Sequence, residues 1–553
     1  MTAPPRPEAF TAACAAACLL VAGAYANHFH NDFHFDDDHT IQTNAFVRDV
    51  RNIPRFFVDA STFSALPSHQ SYRPLVTATF AVDYAVGGGL NARAFHATSF
   101  ALFAIQCLLM YALFTRLMDA AAPDPANRWV ALLAATAYGV HPANAETVNY
   151  IIARSEILST LGVVLAFVLV ASSGGRHPSA VSSGNRVWRP WGLYLIPAAA
   201  GMLAKEQAAM FAPLLFVYVA IVERQRSILE ALSPKEIGAT VRETWPAFLV
   251  CGALAVLGQR MAPSFVPGGA SRMHYLITQP FVIVHYVEAF FLPIRLSADS
   301  DWQAIADPFD ARVVAGAGAI VCLVAAAAYA SRRRETRPIA FGMLWFLIAL
   351  LPTSSVIPLA EVLNDHRTYF PYVGLTLAVA WSLRLVAART TAIRRAVVAG
   401  SVVAILALAW GTHERNIVWR TEESLWLDVT RKSPDNGRGL MTYGVIRMGQ
   451  GDYTTADEYF QRALALVPEY SYLHVNMAIL KGALHQPSEA ERHFLAAQRF
   501  DPDNPVCYFF YARWLAEQGR IADATAQATR AIALSPGYAD AQDLLKSLNA
   551  GRR

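Results

Sequence analysis

Apolar runs separated by short polar segments dominate the chain as far as residue 412. A helix needs about 20 residues to cross a hydrocarbon core of about 30 Å, and several runs are shorter than this. Runs 191–204 and 207–223 meet at Lys205 and Glu206, which predicts two shortened helices joined by a recessed hairpin. The predicted spans are 9–26, 95–118, 129–141, 150–172, 191–204, 207–223, 245–261, 311–331, 338–352, 368–388 and 395–412.

The composition agrees with a chain that crosses a membrane many times. Of its 553 residues, 54% are hydrophobic and 16% are charged, whereas a soluble protein carries about 25% charged residues. A single basic residue, Arg6, precedes the first run, and a segment rich in His and Asp follows it. We therefore interpret this run as a membrane span and not as a cleaved signal peptide.

The distribution of basic residues predicts the orientation of the spans, because loops rich in Lys and Arg stay in the cytoplasm. All four basic loops fall on one side only if one apolar segment does not cross, and Tyr275–Pro293, with its polar side chains, is the best candidate. We expect eleven spans, a cytoplasmic N-terminus, an external C-terminus, and Tyr275–Pro293 as a re-entrant or interfacial segment. The basic loops are 176–189, 224–242, 332–337 and 389–395.

A 34-residue period marks the C-terminal part of the chain. Small and aromatic residues recur between four equally spaced prolines, which is the pattern of tetratricopeptide repeats, pairs of helices that stack into a superhelix. We expect an all-α chain with a membrane domain at 1–412 and an external repeat domain at 413–553. Three repeats over 435–536 are flanked by helices at 414–432 and 538–549. The recurring residues are Pro434, Pro468, Pro502, Pro536, Ala456/Phe460/Ala463, Ala490/Phe494/Ala497 and Ala524/Ala528/Ala531.

An acidic segment follows the first predicted span. Asp36, Asp37 and Asp38 stand in a row, and four histidines lie within the 13 residues from 27 to 39. Crowded carboxylates raise one another's pKa, so that one of them is suited to accept a proton near neutral pH. Two other interpretations stay open: a solvated charged loop, or a divalent metal site with Asp38, His34 and His39 as candidate ligands.

Cationic residues are unusually frequent on the predicted external side. A charge at membrane depth is costly and marks a functional site by default, although each such residue alone is more often structural. Arginine grips phosphate oxygens with two donors and lysine supplies a point charge, so the group together predicts a pocket for a lipid phosphate. Its members are Arg73, Arg154, Lys205, Arg260, Arg272 and Arg367.

At these positions the chain resembles a known family, the transmembrane and tetratricopeptide-repeat O-mannosyltransferases of the C-type glycosyltransferase superfamily. Each matching piece is short, but their order along nearly the whole chain is specific. The pieces are Phe35-Asp36-Asp37 with Ile41 and Asn44, Tyr72-Arg73-Pro74-Leu75, Phe95-His96, His141-Pro142 with Glu146 and Arg154, Lys205-Glu206, and His366-Arg367-Thr368-Tyr369-Phe370-Pro371, followed by the repeats.

The resemblance implies a C-type membrane transferase that takes a sugar from a polyprenyl phosphate on the external side. By position, Asp36 and Asp37 match the superfamily's catalytic acidic motif, and Asp38 is an additional carboxylate. The resemblance further implies that substrate-binding residues lie among the other matching pieces. These are Arg73, His141, Glu146, Arg154, Lys205, Glu206, His366, Arg367 and Tyr369.

The first hypothesis is therefore inverting transfer of a sugar, most simply mannose, to Ser or Thr hydroxyls of a protein held by the repeats. The donor is a polyprenyl-phosphate sugar, and the setting is the periplasmic side of a bacterial inner membrane. A second hypothesis keeps the chemistry but transfers the sugar to a lipid or surface glycan. A third is a non-catalytic membrane scaffold that docks proteins through the repeats. Nothing in the sequence points to a nucleic-acid partner.

Overall fold

A computed structural model describes residues 7–66, 69–173, 192–262, 271–355, 358–359 and 361–550. These residues form helices and turns and contain no strand, which confirms the predicted all-α class. The basic loop predicted at 176–189 lies outside the described residues. The chain divides into two compact units, Met1–Ala298 with Trp302–Thr421, and Asp299–Asp301 with Glu422–Arg553.

The first unit contains sixteen α-helices within the described residues, which we number in chain order. They are α1 Pro7–Ala24, α2 Ile53–Phe56, α3 Pro74–Val86, α4 Ala92–Ala121, α5 Asn127–Gly139, α6 Ala143–Asn149, α7 Arg154–Ser173, α8 Leu195–Ala204, α9 Phe211–Tyr218, α10 Ile228–Ala231, α11 Pro234–Met261, α12 Arg272–Phe291, α13 Ala311–Ser331, α14 Arg337–Leu350, α15 Pro371–Ala387 and α16 Thr391–Val418.

In the part of the chain that the structure describes, seven segments are long and apolar enough to cross a membrane, so the protein is an integral membrane protein. Four other predicted spans coincide with the shorter helices α5, α8, α14 and α15. The count of eleven spans stays a prediction. The seven segments are Glu8–His30, Ala92–Ala121, Ile151–Ser172, Glu206–Glu223, Pro234–Met261, Ala311–Ser331 and Thr391–Val418.

Small residues let the helices of this unit approach closely. Helices α14 and α15 pack against each other, and a Cβ atom added at Gly342 or at Gly374 would collide with the facing backbone. Lipid tails are as apolar as leucine, so membrane helices associate through such close van der Waals contacts. The pair α14–α15 is therefore fixed by its glycines as well as by its apolar side chains.

Two helix ends show where the sequence-based expectation holds and where it fails. Helix α8 ends at Ala204, Lys205 is extended, and a 3-10 turn follows at Glu206–Met210, as expected for two shortened helices that meet at Lys205. The prediction of a single helix at 414–432 is wrong. Helix α16 continues to Val418 and a new helix begins at Glu422, because Trp419 leaves the helix to pack beside His34.

The second unit consists of paired helices that repeat with the predicted period. The alanine and phenylalanine positions recognised in the sequence are all fully buried between helices, from Ala456 to Ala531. This burial explains the alanines of the pattern, because small side chains let the helices of a pair approach closely. The helices are α17 Glu422–Lys432, α18 Gly437–Gly449, α19 Tyr453–Leu466, α20 Ser471–Ala483, α21 Pro487–Phe500, α22 Pro505–Glu517, α23 Ile521–Leu534 and α24 Ala539–Ala550.

A buried histidine pair in this unit predicts sensitivity to acid. The Nδ1 atoms of His474 and His493 lie 3.0 Å apart, and burial lowers the pKa of both rings, that of His493 to about 4. The stability they contribute is present above the ordinary histidine pKa of about 6.5 and is lost as the pH falls toward about 4. We expect the amide protection factors of α20 and α21, corrected for intrinsic exchange rates, to fall as the pH is lowered over this range. The total fall should be about tenfold for each unit by which folding lowers a histidine pKa.

Hydrogen exchange on the full chain measures this effect. His493→Gln keeps a hydrogen-bonding partner for His474 but does not titrate, so it should remove most of the pH dependence. His485→Asn changes an exposed histidine beside the same helices and should leave it intact. Equal acid sensitivity in His493→Gln and the parent chain would assign the effect to other groups.

Candidate active site

The acidic triplet lies at a strained turn after α1. Phe35 has φ of +48°, a left-handed conformation that is rare for a bulky residue. A π-helical turn, Asp38–Gln42, follows directly and has Asp37 as its N-terminal cap. Strained residues and π-turns concentrate at functional sites. The conformation of Phe35 turns the three carboxylates, which are adjacent in sequence, into different surroundings.

Asp36 is the carboxylate that faces outward beside a histidine. Its side chain is 54% exposed, and Oδ1 lies 3.3 Å from Nε2 of His39. Burial raises the pKa of Asp36, but interactions with His39, His69 and Tyr150 together hold the pKa below its ordinary value. The backbone is fixed as well, because the Asp36 N–H donates to the Tyr150 hydroxyl at 3.1 Å. Asp36 is therefore an ionised, accessible and oriented carboxylate.

Asp37 is turned the other way and is fully buried. Its carboxylate accepts hydrogen bonds from the backbone N–H groups of His34 at 3.0 Å and Ile152 at 2.8 Å, with Ile151 at 3.4 Å. Burial raises the pKa of Asp37 to about 7 in spite of these bonds. Asp37 thus ties the acidic turn to the start of α7, and its position suits it to hold Asp36 in place.

The candidate metal ligands point to separate partners. Nε2 of His34 lies 2.6 Å from the carbonyl oxygen of Trp419, and Nδ1 of His39 lies 2.9 Å from the Ser64 hydroxyl. Asp38 is exposed. Within the described ranges, no three His, Cys, Asp or Glu side chains gather in a way that could hold a metal ion. Metal binding at this segment stays a prediction.

Aromatic rings form a wall beside the acidic turn. The Phe35 ring lies 5.5 Å from Tyr150 and 6.0 Å from Trp419, and the last two stack at 6.1 Å with an angle of 24°. Trp419 is fully buried. This packing offsets the strain at Phe35, because the left-handed conformation places its ring edge-on against both of the others.

Arg154 lies in the interior of the protein. It is fully buried, and its guanidinium forms an ion pair with Asp83 at 2.5 Å. Further donors reach Ser99 at 3.1 Å, Thr79 at 3.0 Å and the carbonyl oxygen of Phe95 at 2.7 Å. These partners belong to α3 and α4, so Arg154 joins three helices. This placement favours a structural role over the substrate contact expected from the sequence.

The hairpin at Lys205 forms a second polar cluster, made of two ion pairs. Lys205 pairs with Glu156, which also accepts from Gln207. Arg73 reaches Glu206 at 3.1 Å, and the two cations, Lys205 and Arg73, have side chains 16% and 18% exposed. Both ion pairs border the apolar core that also contains Ile151 and Ile152, the residues bound by Asp37. The acidic turn and the hairpin therefore flank one structural core.

His366 extends the polar cluster from the other side. Its Nδ1 lies 3.1 Å from Oε1 of Glu146, and burial together with the charge of Lys205 lowers the pKa of His366 to about 4. The ring is neutral at physiological pH. Because Lys205 acts on this ring electrostatically, the two residues that the sequence separates by 161 positions share one neighbourhood.

Three further predicted residues are engaged inside the protein. Arg367, only 5% exposed, donates to the carbonyl oxygen of Glu361 at 3.0 Å. His141 lies 2.9 Å from the carbonyl oxygen of Phe290, and the fully buried Tyr369 donates to Gln106 at 3.0 Å. Tyr369 thereby fastens the 361–369 segment to α4, and His141 joins the end of α5 to α12. Arg367, His141 and Tyr369 therefore act as internal supports. The predicted residues that the structure brings together are Lys205, Glu206, Arg73, His366 and Glu146.

Sequence reasoning missed several residues that complete the site. Glu156 is the partner of Lys205, and its signal was a carboxylate two residues after Arg154 at the start of an apolar run. Tyr150 and Trp419 carry no recognisable motif. His39 was interpreted only as a metal ligand, although its spacing of three residues from Asp36 suits a contact within one helical turn.

Known proteins similar to this chain are protein O-mannosyl-transferases. No family model matches the chain. The chain is 24% identical to Protein O-mannosyl-transferase Tmtc3 of Drosophila melanogaster over 90% of its own length, and 25% identical to TMTC1 of Homo sapiens over 84%. It is 24% identical to TMTC4 of Homo sapiens over 79%. The chain spans 59%, 57% and 64% of the length of these relatives.

Solved structures give weaker matches. They include the APC/C hetero-tetramer Cut9-Hcn1, at 14% identity over 86% of this chain and 89% of that chain with a TM-score of 0.24. Yeast Tom70 matches at 14% identity over 79% and 80%, with a TM-score of 0.23. The curated relatives, in contrast, confirm the resemblance predicted from the motifs: over most of its length the chain is similar to the TMTC protein O-mannosyltransferases.

Proposed function

We propose that this protein transfers a sugar, most simply mannose, from a polyprenyl phosphate to Ser or Thr hydroxyls of proteins on the external side of the membrane. The observation that carries the proposal is Asp36, an exposed carboxylate with a lowered pKa that is held beside His39. The curated relatives, named as protein O-mannosyl-transferases, support the same reaction.

The proposed reaction is a single displacement at the anomeric carbon. The hydroxyl oxygen of the acceptor bonds to the anomeric carbon, and Asp36 accepts the proton that this hydroxyl loses. The bond from that carbon to the phosphate oxygen breaks, and its electron pair leaves with the polyprenyl phosphate. Attack from the face opposite the leaving group inverts the anomeric centre. General base catalysis of this kind contributes about 10²–10⁴-fold to a rate.

Charge on the leaving phosphate requires cations that substrate can reach. Lys205 and Arg73 meet this condition better than Arg367 and Arg154, which are buried and bonded within the protein. Both cations are held by carboxylates, those of Glu156 and Glu206, which fix their positions before substrate binds. Preorganised charges aimed at the developing negative charge are the strongest electrostatic contribution to such reactions.

The repeats provide the proposed acceptor-binding module. Paired helices of this type form a concave surface suited to an extended peptide. Removing residues 422–553 tests this role. If the repeats bind the acceptor, the truncated chain should lose transfer to a protein acceptor but retain transfer to a short Ser/Thr peptide at high concentration. Full activity on the protein acceptor would exclude the role.

A purified reaction tests the proposed function. Full-length protein in detergent is mixed with polyprenyl-phosphate mannose and an external protein from the same cell, and the acceptor is examined by intact mass. We expect one or more hexoses to be added, with none from a nucleotide sugar. Addition from the nucleotide sugar alone, or transfer only to lipid, would contradict the proposal.

A separate prediction concerns Asp37, whose proposed role is to hold Asp36 in place. Asp37→Asn places an amide N–H₂ where backbone N–H groups need an acceptor, and leaving buried donors unsatisfied costs about 1–3 kcal/mol. We expect the thermal stability and the transfer rate to fall together, with the rate reduced about tenfold. Melting curves and initial rates on the same preparation measure this. A slow variant with unchanged stability would mean that Asp37 participates in the chemistry directly.

A further inference from the structure

A large cavity lies between α5, α15 and α16, away from the acidic turn. Its volume is about 1220 Å³, above the range of about 300–1,000 Å³ that is typical of small-molecule pockets. It follows α16 from Arg394 to Gly411, a distance of about 25 Å at the helical rise of about 1.5 Å per residue. That length is close to the hydrocarbon thickness of about 30 Å, so the cavity runs nearly across the membrane.

The walls of the cavity suit hydrocarbon. Between its two ends the lining side chains are mostly apolar, for example Leu133, Leu383 and Val398. Leu383 and Val398 are 40% and 48% exposed within the protein. In a membrane such surface is covered by acyl chains or by another protein. The volume and the lining exclude a small polar ligand as the main occupant.

One end of the cavity is strongly basic. Arg128, Arg384, Arg389 and Arg394 line it, against the single carboxylate of Asp124, which pairs with Arg384. Arg128 is held in place by the Phe10 ring, 4.6 Å below its guanidinium. The arginine side chains that line this end suit an occupant that carries negative charge.

The position of the arginines separates this cavity from the proposed transfer site. Lys205 and Arg73 do not line it, and its opposite end, at His141, Phe290 and Gly411, contributes no Lys or Arg among the described residues. The basic end includes the 389–395 loop, which charge distribution predicts to be cytoplasmic. A phosphate at the arginines would therefore lie on the side away from the predicted external chemistry.

We propose that this cavity binds an anionic phospholipid of the cytoplasmic leaflet, with its phosphate at the four arginines and its acyl chains along α5 and α16. Charge complementarity selects this occupant, because arginine forks match phosphate oxygens and the walls match acyl chains. The inference does not depend on the proposed transferase activity.

Native mass spectrometry of the full-length protein tests the site. The protein is titrated with phosphatidylglycerol or with phosphatidylcholine of the same acyl chains. Each arginine near an anionic headgroup adds to the affinity, and several together exceed a tenfold change. We expect phosphatidylglycerol to bind at least about tenfold more tightly. The variant Arg128→Gln/Arg389→Gln/Arg394→Gln should reduce this preference to less than about twofold.

The matched control is Arg332→Gln/Arg333→Gln, two exposed arginines that do not line the cavity. It should keep the full preference for phosphatidylglycerol, and melting curves confirm that both variants are folded. Equal binding of the two lipids, or a preference that survives in the triple variant, overturns the proposal. So does a polyprenyl phosphate that displaces phosphatidylglycerol with the same arginine dependence, or a lipid-free dimer formed through this face.

Discussion

Asp36→Asn is expected to abolish sugar transfer while leaving the protein folded. Asparagine has the same shape but cannot accept the proton of the acceptor hydroxyl, so the rate should fall by about 10²–10⁴-fold. The carboxylate is 54% exposed and its main contact is His39, so little stability depends on its charge. Initial rates with lipid-linked sugar and melting temperatures of the same preparations measure both effects.

Asp38→Asn is the matched control for this experiment. Asp38 is the next residue but one, is also exposed, and is bonded mainly through its carbonyl oxygen, which accepts from Thr43. The transfer rate of the Asp38→Asn variant should stay within about twofold of the parent rate, as is usual for surface substitutions. If Asp38→Asn were the inactive variant and Asp36→Asn remained active, the base would be Asp38 and the role assigned to Asp36 would be wrong.

Arg154→Met is expected to destabilise the protein severely. The substitution removes the guanidinium and leaves Asp83, which is 4% exposed, without its ion-pair partner. Breaking a buried ion pair from one side costs about 3–5 kcal/mol, mainly because a buried charge is left uncompensated. The midpoint of denaturant or SDS unfolding in mixed micelles measures this loss.

The double variant Asp83→Leu/Arg154→Met separates this cause from a loss of packing. Replacing both charges by apolar side chains of similar size is often neutral, so the double variant should recover most of the stability. Arg51→Met, at a side chain 88% exposed, should change stability by less than about 0.5 kcal/mol. A folded, stable Arg154→Met protein that has lost donor binding would restore the substrate role predicted from the sequence.

The helices and the repeats were predictable because their signals are local. Long apolar runs specify membrane helices, and the 34-residue period specifies which alanines and phenylalanines are buried between repeat helices. Helix α3 was missed because its 13 residues fall between a polar segment and a long span. The end of α16 was missed because it depends on the burial of Trp419 against His34 and Tyr150, which are distant in sequence.

The acidic motif was recognisable, but the different roles of its members were not. Asp36 and Asp37 are adjacent and chemically identical, yet one is exposed and the other accepts backbone N–H groups at 151 and 152. That difference arises from the left-handed conformation of Phe35 and from the start of α7. The motifs likewise named Arg154 and Lys205 together, and only their partners, Asp83 and Glu156, distinguish a buried support from a more accessible cation.

Mass spectrometry of external proteins from cells that carry the parent gene or its Asp36→Asn variant tests the central claim most directly. We predict that defined Ser or Thr residues carry a hexose in the parent cells and lose it in the variant cells, although both proteins are present in the membrane at equal amounts. Unchanged hexose occupancy on every external protein, or loss of a sugar from a lipid or surface glycan alone, would contradict the role of Asp36 in protein glycosylation.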